Sequence, residues 1–113
     1  MGNKTWKAVE RGVCRYLGGD RQGPIGREGP DCAIPGGKLA VQIKHRENLP
    51  TWLLDMVDQT LGQANSEQFP LLVLHPFGRP IQQSLVIVTL ENARILLEKS
   101  GIINKSPDAG KEE

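Results

Sequence analysis

The sequence predicts an α/β domain in which a mixed β-sheet is flanked by helices. Three observations indicate this class: apolar residues recur at helical spacing, short apolar runs have the length of buried strands, and a glycine-rich turn interrupts an alternating segment. A chain of 113 residues with 38% hydrophobic residues suits one domain with a small core. We expect a folded domain over 1–103 and a disordered tail over 104–113.

Residues 4–17 are predicted to form the first helix. Its apolar positions recur at helical spacing, and a glycine pair at 18–19 stops it. These positions are Trp6, Val9, Val13 and Leu17. Glu10 lies beside this stripe, and two interpretations are open: it points along a sheet surface at the edge of the core, or it is a solvated carboxylate paired with Lys7 or Arg11.

Residues 29–46 are predicted to form a β-hairpin around the turn-rich segment 35–38. A four-residue loop places Asp31 opposite Gln42, and alternation then separates the side chains into two faces. The apolar face carries Cys32, Ile34, Leu39, Val41 and Ile43. The other face brings together Asp31, Gln42 and Lys44 with only alanines beside them, which predicts a functional site on an uncrowded surface.

The remaining elements follow from local patterns, and their order is α-β-β-α-β-β-α. The segment 18–30 is a glycine-rich loop with room for one short strand. A second helix is predicted over 50–65, where Pro50 suits the first turn. The apolar runs 71–75 and 84–90 are predicted to be strands buried on both faces. A last helix covers 92–99 and ends at a glycine.

The two cysteines, Cys14 and Cys32, lack the spacing of a metal-binding pair. Because free cysteines are usually buried, we expect both to be reduced core residues of a cytosolic protein. The sequence shows neither the apolar core of a signal peptide nor a run of roughly 20 apolar residues that would span a bilayer. We therefore expect a cytoplasmic location and no membrane partner.

Charge is distributed unevenly along the chain although the formal net charge is only +1. Residues 1–46 carry a balance of +5, whereas residues 47–113 carry −4. This asymmetry indicates either a basic face that meets a polyanion or a mixed solvated surface without a partner.

The polar face of the hairpin has the chemistry of a metal-dependent phosphodiesterase. Such an enzyme needs oxygen ligands for a divalent metal and a nearby cation. Asp31 is predicted to hold the metal, and Gln42 offers an amide oxygen or shapes the site. Lys44 faces the same way and would stabilise developing charge. Glu10 would complete the ligand set from the first helix.

Glu10, Pro30-Asp31 and Gln42-Ile43-Lys44, taken in this order and context, resemble the PD-(D/E)XK nuclease superfamily. The likeness is strongest to the archaeal-type and phage Holliday junction resolvases, and it covers roughly residues 4–97. The segment Leu-Pro-Thr-Trp-Leu-Leu-Asp-Met-Val-Asp-Gln and the apolar run before His75 resemble the phage members. One departure is Gln42, because the superfamily usually has an acid at this position.

This resemblance implies a restriction-endonuclease-like core of αβββαβ type and a Mg²⁺-dependent endonuclease in which Mn²⁺ can substitute. It implies catalytic residues Glu10, Asp31, Gln42 and Lys44, of which the first three bind the metal. It also implies a homodimer that nicks opposed strands of branched DNA, in a bacterial, archaeal or phage-infected cell.

The candidate contacts to the DNA backbone are basic residues of the N-terminal half: Arg11, Arg15, Arg27, Lys38 and Arg46. Such contacts set affinity without reading sequence. His45 alternates to the face opposite Lys44 and is interpreted as structural or as a peripheral phosphate contact. Neither His45 nor His75 has zinc-binding partners at useful spacing.

Three other functions stay open. One is a different PD-(D/E)XK activity, such as nicking or restriction-type cleavage. The second is a catalytically silent DNA-binding module, which the substitution at Gln42 suggests. The third is an α/β domain in which the motif is accidental.

Overall fold

The computed structural model describes residues 6–22 and 30–105, and this part contains three helices and two small antiparallel sheets. In chain order the elements are α1 (Trp6–Tyr16), β1 (Asp20–Arg21), β2 (Cys32–Ala33), α2 (Thr51–Gln63), β3 (Leu72–Leu74), a 3-10 turn (Ile81–Gln83), β4 (Leu85–Ile87) and α3 (Leu90–Lys99). The α/β class is thus confirmed, but the strands form two separate pairs rather than one mixed sheet.

The described residues fall into two compact units, with divisions between residues 45 and 46 and between residues 93 and 94. The first unit contains α1, β1, β2 and the segment from 94 to 105. The second unit contains α2, β3 and β4. Each unit has its own apolar packing.

α1 is terminated by the pair Gly18 and Gly19, as the sequence predicts. Gly18 has φ of +91°, and its N–H donates to the Arg15 carbonyl at 2.9 Å. The Gly19 N–H donates to the Cys14 carbonyl, also at 2.9 Å, which completes a Schellman cap. Gly19 also passes so close to β2 that a Cβ atom there would overlap the backbone of Ala33. The pair therefore ends the helix and lets the chain enter β1.

β2 pairs with β1 and not with the segment after the turn. Asp20 lies opposite Ala33 and Arg21 opposite Cys32 in an antiparallel register. β1 is therefore the short strand expected within 18–30, while residues 23–29 lie outside the described residues. The predicted hairpin is wrong in its pairing, because residues 38–46 form no strand.

The turn itself explains why the predicted register fails. It closes at Gly37, two residues before the predicted closing residue Leu39, since the Gly37 N–H donates to the Ile34 carbonyl at 3.0 Å and both glycines of the turn have positive φ. Further from the turn, the Asp31 N–H donates at 2.6 Å to the carbonyl of Val41 rather than meeting Gln42, which is an offset of one residue. A shift of one residue is enough to prevent a regular ladder on the predicted pairs.

The predicted apolar face nevertheless forms the core of the first unit. The buried members are Cys14, Leu17, Cys32, Ile34 and Ile103. Against them pack the partly buried side chains of Val13, Leu39, Val41, Ile43, Leu97 and Ile102. The intervening residues Ala40, Gln42 and Lys44 are exposed. Separation into an apolar and a polar face thus holds although the strand pairing does not.

The buried cysteines are joined to each other. Cys14 and Cys32 form a disulfide with a Cα–Cα distance of 5.3 Å. Their burial is confirmed, but the expectation that both are reduced is wrong. The residues are 18 apart in sequence, and only the packing of α1 beside β2 brings them within bonding distance.

In the second unit, α2 packs on one face of an antiparallel pair made by β3 and β4. Val57 and Leu61 of α2 meet Leu72 and Ile87 around a small gap between the helix and the sheet. On the opposite face Val73 and Val86 are direct cross-strand partners, and they are 51% and 56% exposed. The prediction that these strands are buried on both faces is wrong, because no second layer of described residues covers the face that carries Val73 and Val86.

α3 starts two residues earlier than predicted and ends at Lys99, and Gly101 in the turn after it has φ of +81°. The Ile102 N–H donates to the Leu97 carbonyl at 3.0 Å, and both side chains pack on the core of the first unit. None of the helices within the described ranges is long and apolar enough to cross a membrane.

Candidate functional site

Asp31 is held by the very segment that carries Gln42 and Lys44. Its Oδ2 accepts a hydrogen bond of 2.6 Å from the backbone N–H of Ile43. Its Oδ1 accepts no hydrogen bond from any described residue. The carboxylate is therefore oriented by one oxygen, while the other remains available to a ligand.

Gln42 and Lys44 flank that hydrogen bond and point away from the core. Both residues are exposed, whereas Ile43 between them packs on the core. Within the described part of the chain neither side chain makes a hydrogen bond or an ion pair. The segment that is hydrogen-bonded to Asp31 thus presents an amide and a lysine at the surface, and neither has a partner among the described residues.

Glu10 projects from α1 to the first sheet and binds Arg21 there. Its Oε1 lies 2.8 Å from Arg21 Nε, and the two side chains are only 13% and 15% exposed. Glu10 therefore lies at the edge of the core, as one of the two interpretations expects. Its partner is Arg21 rather than Lys7 or Arg11.

The guanidinium of Arg21 also lies over the ring of Trp6, with 5.5 Å between Cζ and the ring centroid. Trp6 and Glu10 are one helical turn apart on α1, so they contact the same side chain. The Lys7 ammonium is 5.7 Å from the Trp6 centroid. Trp6, predicted as part of the apolar stripe, is half-exposed and serves as a platform for cations.

The two acids are connected through a short set of contacts. Cys14 lies one turn after Glu10 and is bonded to Cys32, the residue that follows Asp31. The Cys14 sulfur is also 3.6 Å from the Asp31 carbonyl oxygen. Arg21, the partner of Glu10, faces Cys32 in the ladder between β1 and β2. The disulfide and this ladder therefore fix α1 beside the start of β2.

The candidate DNA contacts are distributed over both units. Arg11 and Arg15 of α1 and Lys38 of the turn are exposed in the first unit, and none forms an ion pair with a described residue. Arg46 is exposed in the second unit. Arg27 lies outside the described residues. Arg11 and Arg15 are one turn apart and form a basic stripe on α1.

The histidines contribute nothing that indicates a metal centre. His45 is exposed, and His75 Nε2 lies 2.6 Å from the Arg79 carbonyl in a local turn. Among residues 6–22 and 30–105 there is no group of three or more His, Cys, Asp or Glu side chains placed to hold a metal. A metal at this site would therefore need the amide oxygen of Gln42, water or substrate oxygens besides Asp31.

Sequence reasoning did not identify Arg21 as a functional residue. Arg21 is recognised from its position in β1. This strand places it opposite Cys32 and in contact with Trp6 and Glu10 of α1. Comparison of the chain with protein-family models, curated proteins and solved structures found no match.

Proposed function

We propose that the protein is a metal-dependent DNA endonuclease of the PD-(D/E)XK type that cleaves branched DNA as a Holliday junction resolvase. The observation that carries this proposal is the hydrogen bond from the Ile43 N–H to Asp31. It ties Asp31 to Ile43, the residue between Gln42 and Lys44, so the segment that carries these two side chains lies beside Asp31. The proposal includes a restriction-endonuclease-like core and a homodimer that brings two such sites to a junction.

The donor set fits a hard divalent cation. Asp31 has a free carboxylate oxygen, Gln42 has an exposed amide oxygen, and both are oxygen ligands of the kind that Mg²⁺ and Mn²⁺ accept. Glu10 contributes only if its carboxylate exchanges Arg21 for the metal. Bound there, a metal would polarise the scissile phosphate and lower the pKa of a water ligand.

The residues of the chain supply orientation and charge. The Ile43 N–H fixes one carboxylate oxygen of Asp31, and the other oxygen accepts no hydrogen bond from a described residue. Lys44, exposed one residue after Ile43, would stabilise the negative charge that develops on the phosphate during hydrolysis. Arg11, Arg15 and Lys38 supply exposed cations that bind the DNA backbone independently of sequence.

Cleavage of a synthetic four-way junction, compared with a linear duplex of the same sequences, tests the proposal. With Mg²⁺ the protein is expected to introduce paired symmetrical nicks in the junction and to leave the duplex intact. Equal cutting of both substrates would instead indicate a general nuclease. Tight junction binding without cutting would indicate a silent module, and Gln42→Glu is then the variant expected to gain activity.

Three variants test the site assignment. Asp31→Asn removes the charge but keeps an oxygen that accepts the Ile43 N–H, so it should fold and bind the junction while losing cleavage by at least about 100-fold. Lys44→Ala should do the same, and Lys99→Ala, an exposed lysine at the end of α3, is its matched control. Full activity of Asp31→Asn and Lys44→Ala would show that the assignment is wrong.

A further inference from the structure

We propose that Arg21 is a phosphate-binding residue and that Glu10 acts as its positioning residue rather than as a metal ligand. The inference rests on the proposed function in one respect, namely that the phosphate belongs to DNA. It assigns a role to a residue that the sequence motif does not contain. It also gives Trp6 a role as the surface on which the guanidinium is held.

The geometry of the Arg21 guanidinium supports this role. Only Nε is used in the ion pair with Glu10, and one face of the group lies over Trp6. The Nη groups donate to no described residue. A planar guanidinium whose orientation is fixed on two sides, and whose remaining donors form a fork, is suited to bidentate binding of a phosphate.

The charges of the acidic and basic residues near Asp31 also favour a phosphate as the ligand of Arg21. Without a metal, the acids Glu10 and Asp31 are balanced by the cations Arg21 and Lys44. A phosphodiester approaching Asp31 meets repulsion from the carboxylate unless a cation lies beside it. Arg21 faces Cys32, the residue that follows Asp31, across the ladder of β1 and β2, so it lies one residue along the strand from that acid.

The same ion pair argues against Glu10 as a metal ligand. The two side chains are largely withdrawn from water, and breaking a buried pair by removing one partner is costly. A metal bound to Glu10 would have to displace Arg21 from both Glu10 and Trp6. If Glu10 holds Arg21 and the metal is bound through Asp31 and Gln42, the ion pair between Glu10 and Arg21 does not have to break.

The molecule contains a matched control for these variants. Arg94 Nε lies 3.1 Å from Glu98, and the Arg94 guanidinium is 4.4 Å from the ring centroid of Tyr16. These side chains are 11% and 13% exposed, close to the values for the Arg21 pair. Arg94→Ala therefore removes an equivalent pair on an aromatic ring, and no described contact joins Arg94 to Asp31, Gln42 or Lys44.

Junction binding in EDTA, measured by fluorescence anisotropy over a range of salt concentrations, is the first test. Arg21→Ala should weaken binding by about 10-fold and lower the slope of log K against log salt by about 1. Arg21→Lys should not restore the affinity, because an ammonium cannot keep Glu10 and a phosphate at fixed angles. Arg94→Ala should leave the slope unchanged.

Binding of Mn²⁺ alone, followed by electron paramagnetic resonance, separates the two roles of Glu10. Glu10→Gln should retain the wild-type Mn²⁺ affinity within about 3-fold, whereas Asp31→Asn should lose it. In cleavage assays Glu10→Gln should lower kcat in the wild-type background and have little further effect in Arg21→Ala, since the two residues act as one unit. Loss of Mn²⁺ binding in Glu10→Gln overturns the inference.

The outcomes distinguish this inference from the proposed function. If the wild type binds the junction without cutting it, the nuclease proposal fails. The salt dependence of junction binding by Arg21→Ala still tests whether Arg21 binds a phosphate. If the wild type cuts and Arg21→Ala keeps the full affinity and slope, the phosphate role of Arg21 is excluded while the nuclease proposal stands. If the wild type does not bind the junction in EDTA, both are overturned.

Discussion

The two units of the molecule are stabilised by different means. The second unit is an amphipathic helix on a strand pair, and its apolar contacts lie between elements that the local sequence pattern already indicates. The first unit has strands of only two residues, and a disulfide, an ion pair and a close backbone approach hold it together. The candidate site lies in the first unit, so its geometry depends on single long-range contacts rather than on extensive secondary structure.

Removing the disulfide should have the largest effect and should be confined to the first unit. A crosslink across 18 residues stabilises a fold by about 3 kcal/mol in the chain-entropy model. Reduction, or the double variant Cys14→Ala/Cys32→Ala, should therefore accelerate hydrogen exchange in α1, β1 and β2 and leave α2, β3 and β4 protected. Wild-type protein should show no free thiol on denaturation until it is reduced.

Equal loss of protection in both units would contradict this comparison, because it would mean that they unfold as one. Free thiols in unreduced wild-type protein would show that the crosslink does not form in solution. Both results are obtained from the same sample by mass spectrometry, with and without reductant.

Leu72→Ala should be the corresponding test of the second unit. Leu72 is buried against α2, and removing its side chain enlarges the gap beside Val57 and Leu61. Truncations of this kind cost about 2–3 kcal/mol when the site does not collapse. Hydrogen exchange should now accelerate in α2, β3 and β4, while the amides of the first unit keep their protection. Loss of junction binding in this variant would contradict the assignment of the site to the first unit.

The contrast between the units also explains which predictions succeeded. α1, α2 and α3 were predicted because helical periodicity is a local property of the sequence. β3 and β4 were predicted from their apolar runs, but the exposed face of their pair was not, since exposure depends on how many layers cover a sheet. The partner of β2 was wrong because register is decided by turn geometry and tertiary contacts, which a pattern of alternation does not contain.

The candidate site, like the fold, was predictable where it depends on local sequence pattern and not where it depends on tertiary contacts. Alternation predicted the exposed positions of Gln42 and Lys44, but the hydrogen bond from the Ile43 N–H to Asp31 lies outside the predicted pairing. The clustering of the three side chains stays a prediction. Arg21 was not identified because its importance arises from contacts with α1 and β2. The disulfide was missed for a similar reason, since the spacing of two cysteines carries no information about the distance between them in space.

Gly19→Ala should destabilise the first unit by about 2 kcal/mol, because an added Cβ would overlap the backbone of Ala33 and push β1 from β2. Gly12→Ala, inside α1, is the control. A Cβ at Gly12 meets nothing within 4 Å, so this change should stabilise α1 by about 0.5–1 kcal/mol. Urea denaturation of both variants measures the difference. Similar stabilities for the two would show that β1 and β2 do not approach as closely as described.

The smallest effect is expected on the open face of the second unit. Val73→Thr replaces a half-exposed side chain with one of similar shape and β-propensity, so the free energy of unfolding should change by less than about 0.5 kcal/mol. Val57→Thr provides the contrast on the covered face, where the hydroxyl would enter the apolar gap and should cost about 1–3 kcal/mol. A large loss for Val73→Thr as well would mean that the face carrying Val86 is covered in solution. The second unit would then resemble the first in depending on contacts beyond its own helix and strand pair.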